Sequence, residues 1–269
     1  MMMIELRDEI IKLFEVKSYK NNFLFNGHLQ TIFSAFSDFS NVDLINFNRK
    51  LLSLVDGGTI SVDVHNDNQN SSEVLVICHG LTGGSHESYV RCLISELHLD
   101  MTVVVVNFRG CANTKVTSSL LYSGGQTNDL RSALLFLRNY FPNASFVGLG
   151  FSLGANVLTK YIGEEKNNCM LKAGIAIGNP WDLFKGSQAL QSNLFSHFVY
   201  DRAMANNLRK LMEIHKPAVK DEYSNELNLL DSLVFPTLKD FDNTITRKLG
   251  GHPPNFPFNS AEDYYIWLV

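Results

Sequence analysis

Four short runs of apolar residues, many of them β-branched, divide the middle of the chain at residues 74–78, 101–106, 145–149 and 171–177. Continuous apolar runs of this length are typical of strands that are buried on both faces. Residues 87–99, 128–140 and 154–162 instead repeat apolar side chains at helical spacing. Strands that alternate with helices in this way predict an α/β domain with a mainly parallel sheet.

Two flanking segments extend this architecture. Residues 50–66 alternate apolar and polar side chains on both sides of Asp56-Gly57-Gly58, which predicts an antiparallel hairpin at the sheet edge. Residues 182–217 have helical character and no strand pattern, so we expect a helical cap after the fourth buried strand. We assign residues 1–48 to an N-terminal segment, with an amphipathic helix over 1–20, and residues 49–269 to one α/β domain.

Composition excludes several classes of protein. The 269 residues are 45% hydrophobic, which excludes a disordered chain, and the net charge of −4 without a basic run argues against a nucleic-acid partner. The four cysteines are scattered, and no two have metal-ligand spacing, which predicts no metal site and favours a reducing, cytoplasmic location. No apolar stretch approaches the roughly 20 residues of a membrane span. We therefore expect a soluble protein, at most peripheral on membranes or lipid droplets.

Residues 150–154 form the pattern G-x-S-x-G, with Ser152 at its centre. The pattern falls between a predicted strand and a predicted helix, which is the setting of a nucleophile elbow. Such a sharp turn requires very small side chains on both sides of the serine, as Gly150 and Gly154 provide. We expect Ser152 to be a catalytic nucleophile; a serine that only caps a helix is the alternative.

A glycine-rich stretch, residues 79–84 (HGLTGG), follows the first buried strand. Acyl transfer requires two backbone N–H groups directed at the developing oxyanion. One belongs to the residue after the nucleophile, here Leu153, and the other to a loop after an earlier strand, here Leu81. His79 and Gly80 are expected to line the same site. A phosphate-binding loop is the alternative, although neither G-x-x-x-x-G-K-[ST] nor G-x-G-x-x-G occurs.

Five stretches carry a more specific resemblance: residues 26–33 (NGHLQTIF), 79–89 (HGLTGGSHESY), 107–111 (NFRGC), 122–130 (YSGGQTNDL) and 148–160 (GLGFSLGANVLTK). In this order the chain resembles the YheT-like branch of the α/β-hydrolases, which includes yeast medium-chain ethyl-ester synthase/esterases. The resemblance implies an α/β-hydrolase fold, and serine esterase, lipase or acyltransferase activity on medium-chain acyl esters or acylglycerols. It also implies water or an alcohol as acceptor and no cofactor. His28 is expected to line or brace the site, a structural role being equally open.

The acid and base of a serine-hydrolase triad are not found in this chain. The resemblance implies an Asp in a DDP context and a late His in a GGH context. Gly250-Gly251-His252 imitates the second, but no strand–helix–strand unit fits between Asp242 and His252, so we interpret His252 as non-catalytic. His197 and His215 fall in the helical insertion, where a surface or core role is expected.

We therefore interpret the chain as lacking the last strands, roughly 80–120 residues of a complete α/β-hydrolase. A non-catalytic fragment that binds lipid or a partner is the alternative function. The apolar residues of the insertion predict either an acyl pocket or plain helix packing; they are Leu194, Phe195, Phe198 and Val199.

Overall fold

The computed structural model describes residues 25–36, 44–97 and 101–268. The chain divides into two compact units, Met1–Asn41 and Val42–Val269. In the first unit, helix α1 spans Gly27–Phe36, and Asn26 Oδ1 accepts a hydrogen bond of 2.9 Å from the Leu29 N–H at its start. The NGHLQT segment is therefore largely helical. The amphipathic helix expected over residues 1–20 lies outside the described residues.

A six-stranded sheet forms the centre of the second unit. Its strands are β1 Asn48–Ser53, β2 Thr59–His65, β3 Glu73–Cys78, β4 Thr102–Asn107, β5 Ser145–Phe151 and β6 Leu171–Ile177, in the order β1-β2-β4-β3-β5-β6. Strands β1 and β2 form the expected antiparallel hairpin, and β2 joins β4 antiparallel. The other neighbours are parallel, which confirms the mainly parallel sheet.

Helices cover both faces of the sheet. On one face, α3 (Asn128–Tyr140) and α4 (Leu153–Glu165) bury apolar side chains such as Leu134 and Leu158 against β3, β4 and β5. On the other face, α2 (Ser88–Glu96) buries Val90 and Ile94 against the same strands. Successive strand residues point to opposite faces, so strands covered on both sides need apolar residues throughout. This explains why β4 reads TVVVVN and is buried along its whole length.

The fourth predicted strand differs from the expectation. Residues 171–177 do form a strand, but β6 is the outer strand of the sheet, and every residue after Leu171 is exposed. Ile175 and Ile177 are 51% and 47% exposed. An apolar run favours extended backbone and burial, but it does not determine which elements cover the strand.

The helical segment after β6 is longer than predicted. It comprises α5 Leu183–Ser192, a π-helical turn Ser196–Asp201, α6 Arg202–Ser232, α7 Leu238–Phe241, a second π-helical turn Asp242–Thr246, and α8 Arg247–Leu249; α9 Ala261–Trp267 follows. Helix α6 continues through Pro217, with one non-helical residue at Tyr223 (φ −124°, ψ 33°). A proline inside a helix removes one backbone hydrogen bond. Beyond Pro217 the side chains of Val219, Leu227 and Leu230 are buried in an apolar cluster of the cap, and this burial offsets the lost hydrogen bond.

No helix within the described ranges has both the length and the apolar character that crossing a membrane requires.

Candidate active site

Ser152 lies at the turn between β5 and α4, with φ +51° and ψ −116°. Positive φ is unfavourable for a residue with a Cβ, and such strain concentrates at functional sites. Two backbone contacts hold the turn: the Ser152 N–H donates to the Ile177 carbonyl at 2.9 Å, and the Ser152 carbonyl accepts from the Ala155 N–H at 3.0 Å. Ser152 itself is exposed. The turn has the strained geometry that the sequence pattern predicts.

The two glycines of the pattern have no room for a side chain. A Cβ on Gly150 would lie 2.7 Å from the Ala155 nitrogen and from the Gly154 carbonyl oxygen. A Cβ on Gly154 would lie 2.6 Å from the Cys78 carbonyl carbon and closer still to the carbonyl oxygens of Cys78 and His79. Helix α4 therefore approaches the end of β3 at a distance that only glycine permits.

The loop after β3 brings Leu81 to the same cavity as Ser152 and Leu153. Among the described residues, neither the Leu81 N–H nor the Leu153 N–H donates a hydrogen bond. Two free backbone donors beside one serine hydroxyl are what an oxyanion requires. Their role in stabilising one stays a prediction.

Several contacts brace this loop. The Thr82 N–H donates to the Tyr122 hydroxyl at 2.7 Å, and the Ser85 N–H donates to Asn107 Oδ1 at 3.0 Å. The Ser85 hydroxyl also donates to the buried Asp63 carboxylate at 2.5 Å. The loop is thus positioned by side chains from the neighbouring strands rather than by its own sequence alone.

His79 is a structural residue of the loop. Its Nε2 accepts a hydrogen bond from the Phe108 N–H at 3.3 Å, so Nδ1 carries the proton and donates to the Gly80 carbonyl at 2.7 Å. Burial lowers the pKa of His79 to about 4, which keeps the ring neutral. We expected His79 to line the site, but it lies beneath the loop and outside the lining of both cavities that contain Ser152, whereas Gly80 lines one of them. Both ring nitrogens are used in backbone contacts, which is why it points inward.

An apolar cavity of about 280 Å³ opens beside Ser152. Its walls come mainly from the cap and include Leu183, Leu190, Met204, Leu208, Leu211, Met212 and Ile245. Helix α9 and the loop at residues 122–124 close another side, where the Tyr264 hydroxyl accepts a hydrogen bond of 3.0 Å from the Gly124 N–H. The cavity is close in size to small ligand sites and suits an apolar chain.

The apolar residues at 194–199, for which the sequence left an acyl pocket and plain helix packing open, do not line this cavity. Leu194 is 75% exposed and Phe198 51% exposed, and Phe195 and Val199 are also exposed. The lining comes instead from one face of α5 and from α6. Amphipathic helices turn only one side inward, and the apolar residues at 194–199 fall after α5 ends, on a turn that faces outward.

His252 is not among the residues that line either cavity at Ser152. Its Nε2 is 3.2 Å from Asp56 Oδ2 in the turn of the β1–β2 hairpin. Asp56 also pairs with Arg109, so His252 belongs to a charged cluster at the hairpin. His79, His197, His215 and His252 each pair with a group other than the Ser152 hydroxyl.

The two histidines of the cap have structural partners. His215 is buried and its Nε2 lies 2.7 Å from the Gly110 carbonyl, in the wall of the apolar cavity. Burial lowers its pKa, and Nε2 is the donor because a carbonyl oxygen only accepts. His197 lies 3.5 Å from Asp201 within the π-helical turn. These positions fit the surface and core roles expected for them.

Two features of the site were missed by sequence reasoning. Asp242 is buried in the cavity wall, where burial raises the pKa of its carboxyl to about 6, and its Oδ2 accepts a hydrogen bond of 2.7 Å from Tyr265. Arg109, also in the wall, makes two hydrogen bonds of 2.8 Å to the buried Asp129. The sequence indicated Arg109 only as part of the NFRGC stretch, and nothing in the sequence indicates that Asp129 is its partner.

His28 lies on α1 of the first unit, where it is exposed, and its role in the site stays a prediction. Within the described residues, no group of three His, Cys, Asp or Glu side chains is arranged to hold a metal ion.

The chain is similar in sequence to several known proteins. It is 32% identical to a monoacylglycerol lipase of Saccharomyces cerevisiae over 90% of this chain and 62% of that protein. It is 26% identical to medium-chain fatty acid ethyl ester synthase/esterase 2 of the same yeast, over 90% of this chain and 68% of that protein. An esterase structure from Pyrococcus furiosus, Pf2001, matches with a TM-score of 0.46 and 22% identity, over 56% of this chain and 58% of that chain.

The chain spans less than two thirds of the length of the yeast lipase, and 54% of an embryogenesis-associated protein of Picea glauca to which it is 32% identical. The yeast relatives lie in the branch that the five sequence stretches resemble. The family model described as alpha/beta hydrolase fold matches residues 73–254, which is more than half of the chain. The match includes both the glycine-rich loop and the elbow, and the chain therefore belongs to the alpha/beta hydrolase fold family.

Proposed function

We propose that this chain carries the nucleophile, oxyanion site and acyl pocket of a carboxylic ester hydrolase. The observation that supports this most is the strained backbone of Ser152, held at φ +51° beside two free backbone N–H groups and an apolar cavity. A serine that only capped helix α4 would not need this conformation, and Ser152 makes no side-chain cap hydrogen bond.

The reaction would proceed through an acyl-enzyme. Ser152 Oγ attacks the ester carbonyl carbon, and its proton passes through a base to the departing alcohol as the bond between carbonyl carbon and alcohol oxygen breaks. The Leu81 and Leu153 N–H groups would stabilise the negative charge on the carbonyl oxygen in the transition state. Water or a second alcohol then attacks the acyl-enzyme, which gives hydrolysis or ester synthesis respectively.

The substrate class follows from the cavity and from the relatives. A narrow apolar cavity of about 280 Å³ suits a medium-length acyl chain. The yeast relatives are named for monoacylglycerol and for medium-chain ethyl esters. We propose medium-chain esters of small alcohols or of glycerol as substrates, reached at the surface of a membrane or lipid droplet.

Labelling with a fluorophosphonate tests the nucleophile directly, because the probe phosphonylates an activated serine. In the native protein that contains this sequence, we expect one labelled peptide, carrying Ser152, and loss of label in Ser152→Ala. Ser95→Ala, on the exposed side of α2, is the control and is expected to label like wild type. An unlabelled native protein would contradict the proposed function.

One observation favours a second candidate, a non-catalytic lipid-binding chain. His79, His197, His215 and His252 each have a partner other than the Ser152 hydroxyl, and without its base a serine hydrolase retains only a small part of its activity. For purified 1–269, this candidate predicts binding of medium-chain acyl groups without turnover. Hydrolysis by 1–269 that is lost in Ser152→Ala would exclude it.

A further inference from the structure

Ser152 lines two cavities of different character. One is the apolar cavity described above. The other is a cleft of about 460 Å³, here named the Glu87 cleft, which is lined by Gly80, Thr82, Glu87, Tyr89, Phe151 and Asn207 as well as by Ser152. An ester bound with its carbonyl at Ser152 has its acyl chain on one side of that carbon and its alcohol on the other. If the acyl chain occupies the apolar cavity, the alcohol extends into the Glu87 cleft.

The Glu87 carboxylate is available to a ligand in this cleft. Glu87 precedes the first residue of α2, a position where acidic side chains often accept a hydrogen bond from the helix backbone, but it makes no such bond. His86 Nε2 lies 3.6 Å from Glu87 Oε1, beyond hydrogen-bond distance. The Glu87 side chain is 32% exposed, so the carboxylate reaches the cleft while part of it remains covered.

A hydroxyl donor faces the same cleft. The Tyr89 hydroxyl accepts a hydrogen bond of 3.0 Å from the Gly80 N–H, which fixes the oxygen and leaves its proton to donate. Burial raises the pKa of Tyr89 to about 12, so the hydroxyl stays protonated. The Asn207 amide of α6, which can both donate and accept, lies on the cap side of the cleft. Together these groups can satisfy both the donor and the acceptor function of neighbouring hydroxyls.

The aromatic rings of the cleft do not favour a quaternary ammonium group. Cages for such cations present open ring faces to the ligand. The Tyr89 and Phe151 rings instead pack on each other, with centroids 4.8 Å apart and an angle of 56° between their planes. The carboxylate therefore lies beside hydrogen-bonding groups rather than inside an aromatic cage.

We propose that the Glu87 cleft binds the alcohol portion of the ester and that Glu87 and Asn207 select a polyhydric alcohol over a monohydric one. The proposal rests on the proposed function for the position of the ester carbonyl. It makes Glu87 the acceptor for one hydroxyl of the alcohol and Asn207 the partner of a second.

Non-hydrolysable ethers test this selection without catalysis. Binding of 1-O-octylglycerol, octyl ethyl ether and the octyl ether of choline to the chain would be measured by isothermal titration calorimetry. A hydrogen bond to a charged acceptor changes affinity by about tenfold or more, so we expect 1-O-octylglycerol to bind at least about tenfold tighter than octyl ethyl ether. Glu87→Gln should weaken the glycerol ether by about tenfold and leave the ethyl ether unchanged, which also shows that the variant is folded.

Glu96→Gln, on the exposed surface of the same helix, is the matched control and should behave like wild type. Asn207→Leu should weaken the glycerol ether severalfold. Equal affinities for the two ethers, no binding of either, no effect of Glu87→Gln, or tighter binding of the choline ether would each overturn the proposal. Because no acyl-enzyme forms in this assay, a glycerol preference in a protein that resists fluorophosphonate would overturn the proposed function alone.

Discussion

The buried ion pair between Arg109 and Asp129 gives a sharp test of what holds the site walls together. Arg109 is 3% exposed and Asp129 1% exposed, and two parallel hydrogen bonds of 2.8 Å join them. Arg109→Met would leave the Asp129 carboxylate buried without a counter-charge. Removing one member of a buried pair costs about 3–5 kcal/mol of unfolding free energy, which corresponds to roughly 10 °C in Tm for a domain of this size.

The loss should depend on pH in a defined direction. Burial already raises the pKa of Asp129, against the lowering effect of Arg109, and removing Arg109 raises it further. The unfolded state loses this proton near pH 4, whereas the folded variant keeps it to a higher pH. Folded protein that binds more protons than unfolded protein loses stability as pH rises. Because the unfolded state is common to both proteins, the stability difference between wild type and Arg109→Met should grow from the folded-state pKa of Asp129 in wild type upward and level off above its folded-state pKa in the variant.

Urea unfolding of wild type, Arg109→Met and Arg109→Met/Asp129→Leu at several pH values measures these effects. The double variant removes the Arg109 and Asp129 charges and leaves Asp56, which is more exposed and lies 3.2 Å from His252. Replacing a buried pair by apolar residues is often close to neutral, so the double variant should recover most of the loss. A single variant that loses less than about 1 kcal/mol, or a double variant as unstable as the single one, would refute the reasoning that charge compensation holds this contact.

Three single substitutions separate the roles of groups around the elbow and the cavity. Gly154→Ala should lower the unfolding free energy measured in urea by about 1–3 kcal/mol and reduce labelling of Ser152, because its Cβ would meet the end of β3. Gly163→Ala lies on the same helix, meets no atom within 4 Å and serves as the control. His252→Asn should leave the fluorophosphonate labelling rate unchanged, since its ring pairs with a carboxylate outside the cavity; a tenfold loss would identify it as the base. A buried carboxyl with a pKa of about 6 destabilises the folded state as pH rises, so the unfolding free energy of Asp242→Asn should rise by about 3 kcal/mol relative to that of wild type between pH 4 and pH 7.5. Stability profiles of the two proteins that run parallel over this range would contradict this.

The elements that could be predicted from sequence are those whose cause is local. The elbow needs a strand, small residues around Ser152 and a helix within a dozen positions, and all three are visible in the sequence. The hairpin likewise depends on its glycine turn and on alternation in the flanking residues. In both cases neighbouring residues specify the geometry, so the pattern and the structure agree.

The contacts that could not be predicted join residues far apart in the chain. Arg109 and Asp129 lie 20 residues apart, on either side of the loop between β4 and α3, and Asp242 reaches the cavity because the second π-helical turn and α9 pack together. The exposure of β6 depends on which elements cover it, which no local pattern records. Helix α6 passes through Pro217 because tertiary burial outweighs a local preference.

The hydrogen bond from the Ser152 N–H to the Ile177 carbonyl joins the turn at Ser152 to the last residue of β6. Outer strands with exposed backbone open more readily by local unfolding than the central strands of a sheet. Each opening of the β6 terminus would release the amide that holds Ser152 at positive φ, and the turn would relax toward an ordinary conformation. The fraction of molecules with Ser152 at positive φ would therefore depend on the order of β6, and a contact that orders this strand would favour the strained turn without touching the serine.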